Sequence, residues 1–289
     1  MSLRFAFFGT PEIARTVLEE LQTSGYLPAL VVTNPDAPIG RKQTLTPPPV
    51  KEWALENHIP VIQPTSLKDP AAVPELSDGT YDIFIVAAYG KLIPQWLLDI
   101  PEHGTLNVHP SLLPKFRGAS PIRSAILSDE RTTGVTIMLM DAEMDHGPVL
   151  SQEPATISPA EWPVPGRTLD ERLAKQGGRL LTTTIPGFLA GTIVPREQDH
   201  DAATFCTKIS KAMSELVLDP HHLPTGQIAH EYLRKVRAFD GWPETFFVHN
   251  GLRVKIKDAV LLDGVFTPTR VVPEGKREQS FTDYLHARH

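Results

Sequence analysis

Apolar residues along this chain fall into short, nearly unbroken runs separated by stretches of helical spacing. The runs are LRFAFFG (3–9), PALVVTN (28–34), PVIQP (60–64), DIFIVAAYG (82–90), GTLNVHP (104–110) and TGVTIMLMD (133–141). Several lack the alternation of a half-exposed strand, so both of their faces are expected to be covered. Between the first two runs Ile13, Val17, Leu18 and Leu21 recur at helical spacing, with Pro11 suited to the first turn and Gly25 to the exit. The alternation predicts an α/β fold, a Rossmann-like, mostly parallel sheet with helices on both faces and right-handed crossovers. Ligands of such sheets bind beyond the carboxyl ends of the strands, where Asn107 and His109 are expected.

After Leu189 the pattern changes. Residues 190–204 are polar and aperiodic and read as a linker, and a helical stretch and short alternating runs follow. In LRVKIKDAV (252–260), Val254 and Ile256 fall on one strand face and Arg253, Lys255 and Lys257 on the other. The expected organisation is a first domain over 1–189, a linker over 190–204 and a small β-rich domain over 205–289 with one basic face. Charge divides in the same sense: residues 203–289 carry 12 Lys and Arg against 10 Asp and Glu, and the remainder 16 against 24. A solvated face explains the basic strand equally well.

Composition narrows the class. A chain of 289 residues, 41% hydrophobic and 21% charged, can bury a sizeable core. The single cysteine, Cys206, excludes a disulfide framework and agrees with a reducing, cytoplasmic setting. The amino-terminal apolar run is too short for a signal peptide or a membrane span. Proline is abundant at 28 residues, and five of them lie in NPDAPIGRKQTLTPPP (34–49), which can be neither helix nor central strand. Arg41 and Lys42 put cations at the tip of this segment, which is expected to be a functional loop. FFGTPEIA holds one glycine where a dinucleotide fingerprint needs three, so NAD or FAD binding is not expected.

The chemistry concentrates in NVHPSLLPKFRGASP (107–121). An amide donates or accepts hydrogen bonds, and an imidazole also carries a proton near neutral pH. Together they suit a carbonyl that becomes tetrahedral, because both stabilise an oxyanion and the His can move a proton. Acids stand just past the next strand at Asp141, Glu143 and Asp145. Ser111 lacks a nucleophile elbow and Cys206 lies beyond the linker, so no covalent nucleophile stands out. The eleven histidines are scattered without ligand spacing, and no metal is expected. From the residues alone, direct acyl transfer to an amine stands level with an Asn that caps a turn and a His satisfied in a core.

Asn107, His109 and Asp145 match the Asn–His–Asp set of the folate-dependent formyltransferases, and SLLPKFRGASPI (111–122) and GVTIMLMDAEMDHGPVL (134–150) resemble that family's two signatures. FFGTPEIA, PDAPIGRKQTLTPPPVK and VAAYGKLIP are similar to the branch acting on methionine esterified to initiator tRNA, and KISKAMSELVLD and VRAFDGWP to the start of its C-terminal domain. The resemblance implies 10-formyltetrahydrofolate as co-substrate and initiator Met-tRNA as partner. It implies catalytic roles for Asn107, His109 and Asp145. The folate is expected against Ala88, Tyr89, Gly90 and Lys91 and the loop from Asp141 to Asp145, flanked by Ser111, Leu112, Leu113 and Pro114. The tRNA is expected to meet Arg41, Lys42, Arg253, Lys255 and Lys257, and the protein to act as a monomer. The C-terminal domain is expected to be a shortened, OB-type β-barrel, since only about 85 residues follow the linker. Two departures from the pattern are that short tail and Pro110, where glycine is frequent. The alternatives are an N-formyltransferase for an amino sugar nucleotide and a folate-binding protein without turnover.

Overall fold

The computed structural model describes residues 3–40, 42–77 and 79–287. The chain divides into two compact units. The first gathers residues 1–119, 133–155 and 171–205, and the second gathers 120–132, 156–170 and 206–289.

In the first unit the strands are β1 (Phe5–Gly9), β2 (Leu30–Val32), β3 (Ala37–Ile39), β4 (Thr44–Thr46), β5 (Val61–Ile62), β6 (Ile83–Ala87), β7 (Thr105–His109), β8 (Arg117–Gly118), β9 (Gly134–Leu139) and β10 (Val149–Pro154). Seven of them form one sheet in the order β10-β9-β7-β6-β1-β2-β5. From β5 to β7 every neighbour is parallel, whereas β7–β9 and β9–β10 are antiparallel. The parallel sheet is therefore closed at one edge by an antiparallel hairpin. The apolar run at 133–141 shows the burial expected of a covered strand, and burial does not encode strand direction.

Helices α1 (Glu12–Thr23), α2 (Pro49–Glu56), α3 (Pro74–Ser77) and α4 (Gln95–Leu98) connect the parallel strands. α1 turns Ala14, Val17, Leu18 and Leu21 inward, as its spacing predicts. Helix α5 (Pro121–Leu127) lies in the second unit, and the long α6 (Gly166–Leu189) begins there and continues into the first. Gly9 serves close packing: a Cβ there would stand 2.6 Å from the Phe7 ring and 2.7 Å from Ala14 Cβ. Gly177 of α6 does the same against the sheet, where a Cβ would meet Val108 Cγ1 at 2.6 Å. Val108 separates Asn107 from His109, so this helix backs the strand that carries both.

The proline-rich segment folds as an exposed two-stranded hairpin, β3 paired antiparallel with β4, apart from the main sheet. Lys42 lies exposed in its turn. Arg41 lies outside the described residues. The 190–204 segment, expected as a linker, packs within the first unit: Val149 and Arg196 exchange backbone hydrogen bonds at 2.8 Å, and Gln198 is buried.

The second unit holds α7 (Gly226–Ala238), α8 (Phe281–His286) and the strands β12 (Phe246–His249), β13 (Leu252–Leu262), β14 (Val265–Pro273) and β15 (Gln279–Ser280), which follow the two-residue β11 (Phe205–Cys206). These four strands form an antiparallel sheet in sequence order. Its core is Leu233 and Val236 of α7 against Phe247, Val254, Ile256, Phe266 and Val271. The barrel-like expectation takes the form of an open sheet: among the described residues β12 and β15 are not paired. No helix among the described residues is long and apolar enough to cross a membrane.

Candidate active site

Asn107 and His109 sit at the carboxyl end of β7, beside β6, where Val86 is in register with Asn107. Two-residue alternation puts both side chains on one face of the strand. Both are buried, Asn107 at 9% and His109 at 4% exposure. The loop between β9 and β10 returns Asp145 to them. Asn107 Nδ2 donates to Asp145 Oδ1 at 3.3 Å, and His109 Nδ1 faces the same oxygen at 3.6 Å. The other carboxylate oxygen accepts the Gly118 N–H at 2.7 Å. His109 Nε2 is 3.0 Å from the Phe116 carbonyl, which can only accept, so Nε2 carries a proton. That leaves Nδ1 as the nitrogen that faces the carboxylate.

Backbone geometry supports the arrangement. Asp145 has φ +51° and Phe116 φ +59°, left-handed conformations that residues with a Cβ rarely adopt. Gln198 anchors the first by donating to the Asp145 carbonyl at 2.9 Å and to the Gly147 carbonyl at 2.7 Å. Thr204 anchors the second: its Oγ1 accepts the Phe116 N–H at 2.9 Å. Neither Gln198 nor Thr204 carries a sequence signal, since both lie in the stretch without periodicity.

Of the three acids, only Asp145 reaches the amide and imidazole. Asp141 Oδ2 is 2.7 Å from His146 Nδ1, and Asp141 Oδ1 accepts the Glu143 N–H at 3.0 Å. Asp141 therefore shapes the loop.

The residues expected around a folate divide into two groups. Ala88 and Gly90, at φ +47° and +80°, leave their peptide groups exposed at the end of β6, one strand from Asn107. Between them the Tyr89 side chain turns into the core, and burial raises its phenol to about 12. The Tyr89 carbonyl accepts from Thr10 Oγ1 at 3.2 Å and Asn34 Nδ2 at 3.1 Å, which fixes this exposed backbone. Such an edge suits a flat heterocycle with several donors and acceptors. Lys91 instead ties down the loop, with Nζ donating to the carbonyls of Pro64 at 2.7 Å and Thr65 at 3.3 Å. Burial holds its ammonium below the ordinary lysine range. Ser111 is also committed: it is buried, and its hydroxyl donates to the Lys115 carbonyl at 2.6 Å. Leu113 packs with Met138 and Val149, and its N–H donates to Thr136 Oγ1 at 3.1 Å. Leu112 and Pro114 keep partial exposure.

In the second unit the basic strand face forms as its alternation predicts, with Val254 and Ile256 buried opposite. Its charge is largely paired. Lys255 and Lys257 both donate to Glu244, and Arg253 lies over the Phe246 ring at 3.6 Å. Burial opposes ionisation of Glu244, but the two lysines outweigh it and hold the carboxyl below its ordinary range. Arg237 is bound to Asp258 as well.

A mostly parallel α/β sheet here gathers an amide, an imidazole and a carboxylate at the carboxyl end of β7, an arrangement suited to group transfer from a carbonyl that becomes tetrahedral. Comparison with known proteins agrees. The formyl transferase family model matches residues 3–185. Methionyl-tRNA formyltransferases from Pseudomonas fluorescens and Chloroflexus aurantiacus are 39% and 40% identical, covering 95% and 93% of this chain and 83% and 84% of their own length. A sugar N-formyltransferase from Shewanella superposes with a TM-score of 0.63 at 19% identity, covering 90% of this chain and 98% of its own. HypX from Aquifex aeolicus, solved with tetrahydrofolic acid, gives 0.67 at 16% identity, covering 99% of this chain and 47% of its own. At those identities the solved structures speak for the fold alone. The chain belongs to the formyl transferase family and, within it, to the methionyl-tRNA formyltransferases.

Proposed function

We propose that the protein transfers a formyl group from 10-formyltetrahydrofolate to the α-amine of methionine esterified to initiator tRNA, by direct attack. The observation that carries this is the meeting of Asn107, His109 and Asp145 at one carboxylate oxygen, in a chain about 40% identical to methionyl-tRNA formyltransferases. The folate supplies the formyl carbon and departs as a secondary amine. A carbon–nitrogen bond to the methionine amine forms, the bond to the folate nitrogen breaks, and the proton lost by the attacking amine ends on the departing nitrogen. Asn107 and His109 stabilise the charge that builds on the formyl oxygen. With Nε2 held by the Phe116 carbonyl, Nδ1 of His109 is the nitrogen through which a proton or a donated hydrogen bond passes. Asp145 orients the His109 ring and offers a base for the amine proton, directly or through water.

The exposed backbone of Ala88 and Gly90 and the loop 141–145 receive the folate ring, with Leu112 and Pro114 beside it. Tyr89, Lys91, Ser111, Leu113 and Asp141 shape this site from behind. Arg41 and Lys42 meet the acceptor end of the tRNA, and Arg253, Lys255 and Lys257 add attraction for its phosphates. The protein acts as a monomer in the cytoplasm. The 205–289 region serves the tRNA, while the catalytic groups reside in 1–189. Formylation assays with charged initiator tRNA and with amino-sugar nucleotides, each with 10-formyltetrahydrofolate, test the assignment. Turnover on the tRNA is expected; turnover confined to the sugar would reverse it.

A further inference from the structure

We infer that Gln198, braced by Arg117 and His200, is a positioning residue that sets Asp145 against His109. This role rests on the formyl-transfer reading above. Asp145 holds a left-handed backbone at φ +51°, a conformation that Asp adopts more readily than most residues with a Cβ and that still needs a fixed turn to aim its carboxylate. Gln198 holds that turn from one side. Its amide group spends one N–H on the Asp145 carbonyl at 2.9 Å and the other on the Gly147 carbonyl at 2.7 Å, straddling the turn. Its Oε1 receives Arg117 Nε at 3.1 Å and Nη2 at 2.8 Å. Gln198 and Arg117 are buried at 7% and 4% exposure, so these bonds form out of competition with water.

The brace extends outward. Arg117 Nη2 also donates to His200 Nδ1 at 2.8 Å. A guanidinium only donates, so that nitrogen must be unprotonated. The His200 ring stacks on His146 at 4.1 Å and 3°, and His146 Nδ1 meets Asp141 Oδ2 at 2.7 Å. From the other side the Gly118 N–H, next to Arg117, holds Asp145 Oδ2 at 2.7 Å. Asp145 is thus gripped through both its backbone and its carboxylate by one connected set. The chemistry demands a carboxamide at position 198, since it must accept from a guanidinium at one end and donate twice at the other. A carboxylate fills the same space and meets Arg117 but cannot donate to Asp145 or Gly147.

Full-length protein carrying Gln198→Glu, His200→Phe or His200→Asn tests the role. Formylation kinetics on charged initiator tRNA are read beside thermal melting and the amide proton shift of Gly118. Gln198→Glu is expected to lower kcat about 100-fold, the scale of a misplaced reacting group, while both KM values stay near wild type. The Gly118 amide proton moves upfield as its bond to Asp145 lengthens. His200→Phe keeps a flat ring on His146 but removes the acceptor, and costs about tenfold in kcat. His200→Asn returns an acceptor and recovers most of that loss. Full kcat in Gln198→Glu with Gly118 unmoved overturns the inference. So does a variant that merely melts earlier, with kcat and KM worsening together and Gly118 unmoved. If the wild type fails to formylate tRNA, the functional reading falls, and the Gly118 shift still decides whether Gln198 positions Asp145.

Discussion

His109 gives Nε2 to the Phe116 carbonyl at 3.0 Å and turns Nδ1 toward Asp145 Oδ1 at 3.6 Å. One ring nitrogen is spent on orientation and the other faces the acid, so the ring is fixed before any substrate arrives. Preorganisation of this kind lets a hydrogen-bonding group act on a transition state without reorganising.

His109→Ala and Asn107→Ala are therefore expected to fold normally and to lose at least about 100-fold in formylation rate, the cost of one oxyanion donor or proton-transfer group. Single-turnover rates beside circular dichroism check this. Rates near wild type in either variant would remove the pair from the mechanism.

Asp145→Asn should be comparably damaging, because it keeps the shape and removes the charge beside His109. Asp141→Asn should cost less than about tenfold, since Asp141 bonds to His146 and Glu143 and acts only on loop shape. Comparing the two rates decides which acid is catalytic. A dead Asp141→Asn with a healthy Asp145→Asn would exchange their roles.

Gly177→Ala tests the backing of β7. The added Cβ would stand 2.6 Å from Val108, between the two candidate catalytic side chains. Overpacking of this kind costs about 1–3 kcal/mol, so thermal or urea unfolding should show a clear loss of stability. Because the strain falls on β7, kcat should fall too. An unchanged melting temperature would contradict the close approach.

Arg41→Ala should raise KM for tRNA while folate affinity stays the same, and Lys should replace Arg only in part, because a planar fork matches phosphates and bases. Equal loss of folate affinity would point to a structural role.

A salt titration of tRNA binding reads the second unit. Lys255 and Lys257 share one acid, Glu244, and Arg253 lies over the Phe246 ring, so the four groups carry a net charge of about two. Changing all three to Gln should flatten the log–log salt slope by roughly 1.5 units, at 0.7–0.9 per phosphate contact. An unchanged slope would mean that Glu244 keeps the lysines from the tRNA.

Much of this architecture was legible in the sequence because burial writes itself into the chain. The runs ending at Gly9 and Ala87 are apolar on both faces and became central strands, and β7, which alternates Leu106 and Val108 with Thr105, Asn107 and His109, is buried beside them. Val254 and Ile256 alternate with cations and became a half-covered one. Other features depend on partners far along the chain. Strand direction at 134–139 is set by the return of β10, whose SQEP end is polar and carries no strand signal. Gln198 reads as part of a polar connector until the fold places it under the Asp145 turn, 53 residues away. Glu244 stands 11 and 13 residues before Lys255 and Lys257, and the β12–β13 pairing, with Phe246 opposite Lys255, brings it to both.

The most direct test of direct transfer at this site follows a labelled formyl group through a single turnover. Rapid-quench samples of enzyme, labelled 10-formyltetrahydrofolate and charged initiator tRNA are separated into folate, protein and tRNA fractions. The label is expected to pass from folate to the methionine amine with none bound covalently to protein at any time, and to stay on the folate in His109→Ala. Label accumulating on the protein before the tRNA, or full transfer by His109→Ala, would contradict the account.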